Sequence, residues 1–311
     1  MGRYAARRLL QLIPVVLGTT FLIFALVYAL PGDKVQRLSG EKRPDPARAA
    51  YLRQEYNLDD PLVVQYGKYV GKLATGNFGQ TFNQRPVSQL LKEEYPVSLK
   101  LGAVGILFEA VIGLAAGIWA GLRRNGIVDR TVLVTTLILV SIPSFVICFV
   151  LQLVVGVPLR NVVHLAPSNI AQGFPRSYLL PGFCVSLLGL AVLSRLTRTS
   201  LIETLRSDYV RTAVAKGVPR SRIVGVHAMR NTLIPIITQL GADLSSIMGT
   251  AVVTETIFNL PGVGFQVAQS TRLGEAPVVV GIVTVLVIIY AFMNLFIDLM
   301  YAVLDPRIRY D

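Results

Sequence analysis

The sequence predicts an all-α integral membrane protein with six transmembrane helices and a small helical insert between the first two. Apolar residues make up 53% of its 311 residues and charged residues only 15%, whereas soluble domains carry about 25% charged residues. Basic residues cluster in alternate connections between the apolar segments. Each segment approaches or exceeds the length needed to cross a hydrocarbon core of about 30 Å. The six predicted spans are residues 9–30, 97–122, 132–157, 178–196, 233–253 and 278–304.

The first apolar segment is predicted to be a retained span rather than a secretory signal peptide. Its 22 residues exceed the apolar region of about 7–15 residues in signal peptides, and no small-x-small cleavage site follows it. The basic residues Arg3, Arg7 and Arg8 precede it. They would keep the N-terminus on the cytoplasmic side.

Residues 31–96 are predicted to form a folded extracytoplasmic insert. Asp45-Pro46 and Asp60-Pro61 each combine a capping residue with a proline at the first helical position, so each should open a helix. In the second helix Leu62, Tyr66, Tyr69 and Leu73 share one face, and Gly76-Asn77-Phe78-Gly79 then turns the chain. Two roles remain open: stabilising the first two spans, or contacting an external partner.

Small residues mark two of the later spans as candidates for close helix packing. Gly113 and Gly117 are four residues apart in the second span, and Gly241, Ser245 and Gly249 repeat the spacing in the fifth. Such repeats let helix backbones approach closely. The two helices are therefore expected at the centre of the bundle or at a subunit contact. Pro143 is expected to kink the third span.

The charge distribution predicts the orientation in the membrane. With the N-terminus inside, sixteen basic residues lie on the inner side and only three in the short outer loops, at Arg160, Arg176 and Arg272. This excess places both termini in the cytoplasm. The net charge of +12 thus follows from membrane topology, and no nucleic-acid partner is expected.

A polar stretch at 207–241 separates the fourth and fifth spans on the cytoplasmic side. Ser207 or Asp208 is expected to cap a short helix with its side chain. Small and apolar residues follow at Val210, Ala213 and Val214. Gly217 is expected to end the helix, and the stretch as a whole to be a docking element.

The sequence contains little that could support catalysis. It has no phosphate-binding G-x-x-x-x-G-K-[ST] motif, no H-E-x-x-H and no nucleophile elbow. Catalytic, cofactor and metal sites are therefore not expected in this chain. Cys148 and Cys184 lie in apolar runs and are expected to be buried small hydrophobes, while His164 and His227 stand alone.

Ionisable residues inside the spans are the remaining candidates for function, since charge in lipid is costly. Glu109 and Asp243 lie in the middle of the second and fifth spans. They are expected either to line a path for a polar or cationic substrate together with Ser246, or to be hydrogen-bond partners between helices. Asp298, near the inner end of the sixth span, is expected to be structural.

Several separated motifs resemble those of ABC-importer permeases, within the dipeptide/oligopeptide subgroup and its "B"-type member. The cytoplasmic signature of that family reads Glu-Ala-Ala, three residues, Gly; Arg211, Thr212 and Ala213 stand at the first three positions here, as in the peptide subgroup's variant, followed by Gly217. Other matches cover nearly the whole chain. They are His227-Ala228-x-Arg230-Asn231-x-Leu233-Ile234-Pro235, Leu30-Pro31-Gly32-Asp33, the Gly76–Gly79 turn, Ser141-Ile142-Pro143-Ser144-Phe145, Glu255-x-Ile257-Phe258-x-x-Pro261-Gly262-x-Gly264 and Asp298-x-x-Tyr301-x-x-x-Asp305-Pro306-Arg307.

The resemblance implies a type I importer permease fold in the bacterial inner membrane. It implies a division into residues 1–30, the insert 31–96, a core at 97–304 and a tail at 305–311. The helix at about 208–217 would be the coupling helix that docks on a cytoplasmic ATPase. Its contact residues would be Asp208, Tyr209, Arg211, Thr212, Ala213, Ala215, Lys216 and Gly217.

The resemblance also implies partners. These are a second homologous permease, two ATP-binding cassette ATPases that hold ATP and Mg, an external solute-binding protein, the peptide substrate and the lipid bilayer. The chain itself would be non-catalytic. Nickel chelates and glutathione-like peptides are alternative substrates, and a stand-alone secondary carrier is a further alternative that would require an internal repeat.

Overall fold

The computed structural model describes residues 2–28, 34–39, 45–156 and 173–304. All regular elements in these ranges are helical, and the only strand-like feature described is an isolated bridge between Gln80 and Pro86. The sequence motifs at 30–33, Arg160, His164 and the tail 305–311 lie outside the described residues. The all-α prediction is confirmed.

Fourteen α-helices are described, with three π turns and one 3-10 turn. In chain order they are α1 (Gly2–Tyr28), α2 (Lys34–Ser39), α3 (Pro46–Tyr56), α4 (Leu62–Ala74), α5 (Val87–Phe108), a π turn (Glu109–Gly113), α6 (Leu114–Leu122), α7 (Ile127–Ser141), α8 (Ser144–Leu151), a π turn (Gln152–Gly156), a 3-10 turn (Arg176–Tyr178), α9 (Leu179–Leu205), α10 (Asp208–Ala215), α11 (Arg220–Arg222), a π turn (Ile223–Ala228), α12 (Met229–Phe258), α13 (Val263–Leu273) and α14 (Ala276–Leu304).

Four helices in the described part are long and apolar enough to cross a membrane, and two bent helix pairs raise the number to six if each pair is one span. The predicted third span is the pair Ile127–Ser141 and Ser144–Val155, bent by 102°. The predicted fifth span is the pair Arg220–Leu244 and Gly249–Phe258, bent by 61°. The prediction of six spans therefore holds only if each bent pair crosses the membrane once.

The expected kink at Pro143 is a complete break in the helix. Ile142 is extended, with φ −98° and ψ 130°, and α8 begins only after Pro143. The proline ring disfavours helical geometry at the preceding residue. The chain therefore turns by 102° here instead of bending gently.

Two spans are longer than hydropathy predicted. The second begins at Val87, ten residues before the expected start, and Pro96 lies within the helix. Val87 packs in a cluster with Val263 and Val278, so the polar first turns still have an apolar face to bury. The fourth span continues to Leu205 because α9 keeps a buried face beyond the first charged residues.

The first compact unit comprises Met1–Ser98 and Pro261–Asp311. The helices of the insert pack on α1 and α14 through a cluster of aromatic and aliphatic side chains. The Tyr69 hydroxyl donates to Thr284 Oγ1 at 3.0 Å, and Tyr66 lies 2.7 Å from Thr20 Oγ1. The buried members of the cluster are Phe24, Tyr28, Val35, Leu38, Leu52, Leu58 and Val280.

The predicted starts of the insert helices are confirmed at one site and shifted at the other. α3 begins with Pro46 after Asp45 at the capping position, although Asp45 makes no side-chain capping bond. At α4 the capping position is Pro61 itself, one residue later than predicted. Asp60 instead forms an ion pair with Lys68 at 2.6 Å, which draws its carboxylate away from the helix end.

The second compact unit, Leu99–Leu260, is built around α9. α6, α7, α8 and α12 all pack against this helix. The close approach predicted for Gly113 and Gly117 is confirmed: a Cβ at Gly117 would lie 2.5 Å from the carbonyl oxygen of Ser194. No atom lies within 4 Å of the corresponding point at Gly249, so α12 makes no such contact there within the described chain.

Candidate functional site

The short helix α10 is attached to the second unit by one face. Val210 is 3% exposed and packs with Ala213 and Ile223, beside Leu205 and Val218. These are the apolar positions of an amphipathic helix. The inward face thus holds α10 in a defined orientation.

The helix ends where Gly217 adopts φ +73°, a left-handed conformation that only glycine takes at little cost. The Val218 N–H then donates to the Ala213 carbonyl at 3.2 Å, closing the last turn. The start differs from the prediction. Ser207 occupies the capping position, but its hydroxyl donates backwards to the Thr204 carbonyl at 2.6 Å, so it does not cap the first turn.

The opposite face of α10 is exposed. Val214 is 59% exposed, and no other large apolar side chain on the helix is as open. Arg211 and Asp208 form an exposed ion pair at 3.4 Å, which contributes little to stability. The exposed residues from the predicted set are Asp208, Tyr209, Arg211, Thr212, Ala215, Lys216 and Gly217.

Two assignments on α10 change. Ala213 was predicted to contact the ATPase, but it faces inwards and is buried against Ile223. Val214, absent from the predicted contact set, is on the outward face. The sequence places small or apolar residues at Val210, Ala213 and Val214. Spacings of three and of four from Val210 both fall on one helix face, so the sequence alone does not distinguish Ala213 from Val214.

Tyr209 ties α10 to the start of α12. The Asn231 side-chain amide donates to the Tyr209 hydroxyl oxygen at 2.7 Å. The same hydroxyl donates to the His227 carbonyl at 3.4 Å. The basic segment 220–230 lies between α10 and α12. It forms α11 and a π turn that leads directly into α12, so it braces the short helix against the fifth span.

A buried ion pair, absent from the sequence predictions, holds the C-terminal part of α9. Asp129 at the start of α7 is 2% exposed, and its carboxylate accepts two hydrogen bonds from Arg198, one of them at 2.8 Å. The Asn125 N–H donates to the same carboxylate at 2.8 Å. The pair fixes α9 against α7 seven residues before α9 ends at Leu205. In the sequence, both are charged residues near the end of an apolar segment. This pattern is too common to single them out.

Glu109 and Asp243, separated in sequence, meet in the structure. Glu109 opens a π turn, is 1% exposed, and its carboxyl group lies close to Asp243. Asp243 also accepts from the Gln239 amide at 2.9 Å. The Glu109 carboxyl lies over Gly189 of α9, where a Cβ would be only 2.4 Å from Oε2. Both alternatives, a hydrogen bond between the helices and a role in lining a path, stay predictions.

The remaining candidate residues are one serine, two cysteines and one aspartate. Ser246 is exposed, and its hydroxyl donates to the Asp243 carbonyl at 3.1 Å. Cys148 and Cys184 are both buried, as predicted. The side chain of Asp298 lies outside the described residues. Within the described residues, no group of three or more His, Cys, Asp or Glu side chains could hold a metal ion.

Comparison with known proteins identifies the family. The model of the binding-protein-dependent transport system inner membrane component matches residues 113–310, and the model of its N-terminal domain matches residues 1–102. The chain is 35% identical to the di/tripeptide transport system permease protein of Pseudomonas aeruginosa, covering 100% of this chain and 99% of the relative.

Two further relatives are similar over the same length. The chain is 33% identical to the dipeptide transport system permease protein of Escherichia coli K12, covering 100% of this chain and 99% of the relative. It is 32% identical to the glutathione transport system permease protein of Salmonella paratyphi A, with both chains fully covered. The chain therefore belongs to the binding-protein-dependent transport system inner membrane components, the permeases of ABC transporters.

Proposed function

We propose that this chain is a permease subunit of an ATP-driven importer of di- and oligopeptides and forms half of the translocation path. Full-length similarity to permeases named for dipeptides and di/tripeptides supports this substrate class. The same names favour dipeptides over the glutathione-like peptides and nickel chelates that the family resemblance also allows. Glu109, Asp243 and Ser246 are proposed to line the path.

The proposed partners supply the functions that this sequence shows no motif for, and they bind to its exposed surfaces. ATP and Mg would be bound by two ATPase subunits in the cytoplasm, and a second permease would complete the path. A solute-binding protein would deliver peptide from outside. The excess of basic residues in the inner connections supports a multi-pass arrangement in the bacterial inner membrane with both termini in the cytoplasm.

The observation that carries the docking proposal is the division of α10 into two faces. Val210 and Ala213 attach the helix to the second unit, while Val214 and Ala215 point away from it. Exposed apolar residues flanked by Arg211 on a short helix suit insertion into a groove of a partner protein. The ATPase groove would therefore have an apolar floor with acidic residues at its rim.

Movement of the ATPases would reach the bundle through two links. The Arg198–Asp129 pair holds α9, the helix that leads into α10, and Tyr209 connects α10 to α12 through Asn231. Nucleotide then needs only to bind one arrangement of the ATPase pair more tightly than the other to shift the bundle between two states.

The test is co-purification of the ATPases with the tagged permease, combined with dipeptide uptake. Val214→Glu together with Ala215→Glu should abolish both, because a carboxylate would be buried in an apolar groove without a partner. Val226→Glu is the matched control, since Val226 is 56% exposed in the same basic segment but lies outside α10.

Retention of ATPase and uptake in the α10 variant contradicts the docking proposal. Equal loss in the Val226 variant would show a general effect of added negative charge. Substitution of Ala213 is a poor test of docking, because a larger side chain there disturbs the packing against Ile223.

A further inference from the structure

A polar stripe crosses the middle of α12, a helix that is otherwise mostly apolar. Its members are spaced four, three and four residues apart, the spacing of one helix face, and the 61° bend between Leu244 and Gly249 lies within the stripe. Ser246 and Thr250 are exposed in the isolated chain, and Asp243 is half-buried. A face of this composition is unsuited to lipid, so it faces a polar path or a second subunit. The stripe consists of Gln239, Asp243, Ser246 and Thr250.

Glu109 approaches the stripe from inside the second unit. It is almost fully enclosed, and one of its carboxyl oxygens, Oε1, has no hydrogen-bond partner. The carboxyl group of Glu109 lies close to Asp243, a member of the stripe. A buried acceptor without a donor is costly, and it marks a place where a donor is missing from the isolated chain.

The charge balance of the carboxyl pair points to a cationic ligand. Carboxyl oxygens that lie close together accept hydrogen bonds and attract positive charge. Neither Glu109 nor Asp243 belongs to any ion pair in the described part of the chain. The amide of Gln239 donates to Asp243 but carries no charge. Among the described residues, the pair therefore has no cationic partner in the middle of a membrane segment.

We propose that Glu109 and Asp243 form a binding site for the ammonium group of a peptide in transit, an inference that rests on the proposed import function. A primary ammonium carries three N–H donors and one positive charge. Oε1 of Glu109, the carboxyl oxygens of Asp243 and the hydroxyl oxygen of Ser246 supply three acceptor groups for these donors. Divalent cations require more oxygen ligands than this pair offers.

The ligand reaches the site from the side of Asp243. Ser246 is exposed and Asp243 half-buried, whereas Glu109 is enclosed between the π turn and Gly189 of α9. Asp243 therefore makes the first contact, and Glu109 holds Asp243 in place and supplies the deeper acceptor. Because a Cβ at Gly189 would lie 2.4 Å from Glu109 Oε2, the substitution Gly189→Ala displaces the deeper carboxyl without changing any charge.

A carbodiimide experiment tests the site directly. The complete permease–ATPase complex, without its solute-binding protein, is treated in lipid vesicles with dicyclohexylcarbodiimide, which modifies carboxyl groups in apolar surroundings. Modified residues are located by mass spectrometry. We expect labelling at Glu109 or Asp243, protection by the dipeptide Ala-Ala, and no protection by N-acetyl-Ala-Ala, which lacks the ammonium group.

Equal protection by both peptides, or by neither, overturns the proposal. Leaving out the solute-binding protein matters, because that protein could itself discriminate between the two peptides. The measurement uses the unaltered complex, so it does not depend on the folding of any variant.

Uptake by variants gives a second measurement. Asp243→Asn and Glu109→Gln keep the shape of the side chains, and each should raise the KM for Ala-Ala by about tenfold or more, as expected for the loss of a hydrogen bond to a charged group. Gly189→Ala should raise it less. Glu203→Gln is the control, an exposed carboxylate of α9 away from the pair.

An unchanged KM in both carboxyl variants contradicts the ammonium site. Failure of the proposed function looks different: the unaltered complex would then bind no ATPase or take up no peptide at all. The two failures can therefore be told apart.

Discussion

The side-chain amide of Asn231 lies 2.7 Å from the hydroxyl oxygen of Tyr209, so the first turns of α12 hold the short helix α10. Both side chains are exposed, and the bond spans 22 residues of sequence. The apolar contacts of Val210 and Ala213 orient the same helix from its other side. α10 is thus fixed at two points, which suits the coupling role proposed for it.

Removal of the Tyr209 hydroxyl should weaken coupling and spare assembly. In Tyr209→Phe the inward contacts of α10 persist, and the exposed Asn231 amide can hydrogen-bond to water, so stability should fall by only about 0.5–1.5 kcal/mol. We expect normal co-purification of the ATPases and a lower ratio of peptide imported to ATP hydrolysed. Tyr290→Phe, at an exposed tyrosine of α14, is the control. An unchanged ratio in Tyr209→Phe would show that this bond carries no movement.

The buried Asp129–Arg198 pair should be far more important for stability than the exposed Asp208–Arg211 pair. Asp129→Asn leaves a partly buried guanidinium without its charge partner, and the loss of one member of a fully buried pair, an upper limit here, costs about 3–5 kcal/mol. Asp208→Asn should leave the melting temperature nearly unchanged. Thermal unfolding of the two purified variants in detergent makes the comparison. Similar melting temperatures would contradict a structural role for Asp129.

Glycine at position 117 should be needed for helix packing, and glycine at position 249 should not. In Gly117→Ala the added methyl group would meet the Ser194 carbonyl at 2.5 Å, a backbone atom that cannot rotate away, so α6 and α9 must separate. Overpacking of this kind costs about 1–3 kcal/mol. Gly249→Ala meets nothing within 4 Å and should be neutral or slightly stabilising in the isolated chain. Thermal unfolding of both variants checks the contrast.

The insert should lose stability in alkali. Burial is the main cause that raises the pKa of both Tyr56 and Tyr69 to about 12, and the hydrogen bond of Tyr69 to Thr284 opposes it. In the unfolded chain a tyrosine ionises near pH 10. The stabilisation is therefore complete below about pH 10 and is lost between about pH 10 and 12, because the unfolded state releases its proton first.

Absorbance of the phenolate at alkaline pH measures this effect. Two tyrosines of the native chain should ionise only near pH 12, and both should shift towards pH 10 when the chain is denatured. Native and denatured titrations that coincide would show that neither tyrosine is protected by burial.

Local sequence patterns predicted the elements well where a local rule applies. The apolar runs predicted the helices, Pro46 after Asp45 predicted the start of α3, and Gly217 predicted the end of α10. The predicted helix boundaries were less accurate. An apolar run ends at the first charged residues, whereas the helical hydrogen bonding continues past them. Val87 is an example: the first turn of α5 is polar overall, yet Val87 lies on a face of it that is buried.

Sequence alone determined the class of the protein, the positions of its helices and the short helix that is proposed to dock, because these depend on hydrophobic length, glycine conformation and spacing along the chain. The tertiary structure decided that Ala213 faces inwards and Val214 outwards. It also brought Glu109 to Asp243 and Asp129 to Arg198. These contacts join residues that are distant in sequence. No local pattern encodes them, since they arise only when helices bury their faces against one another.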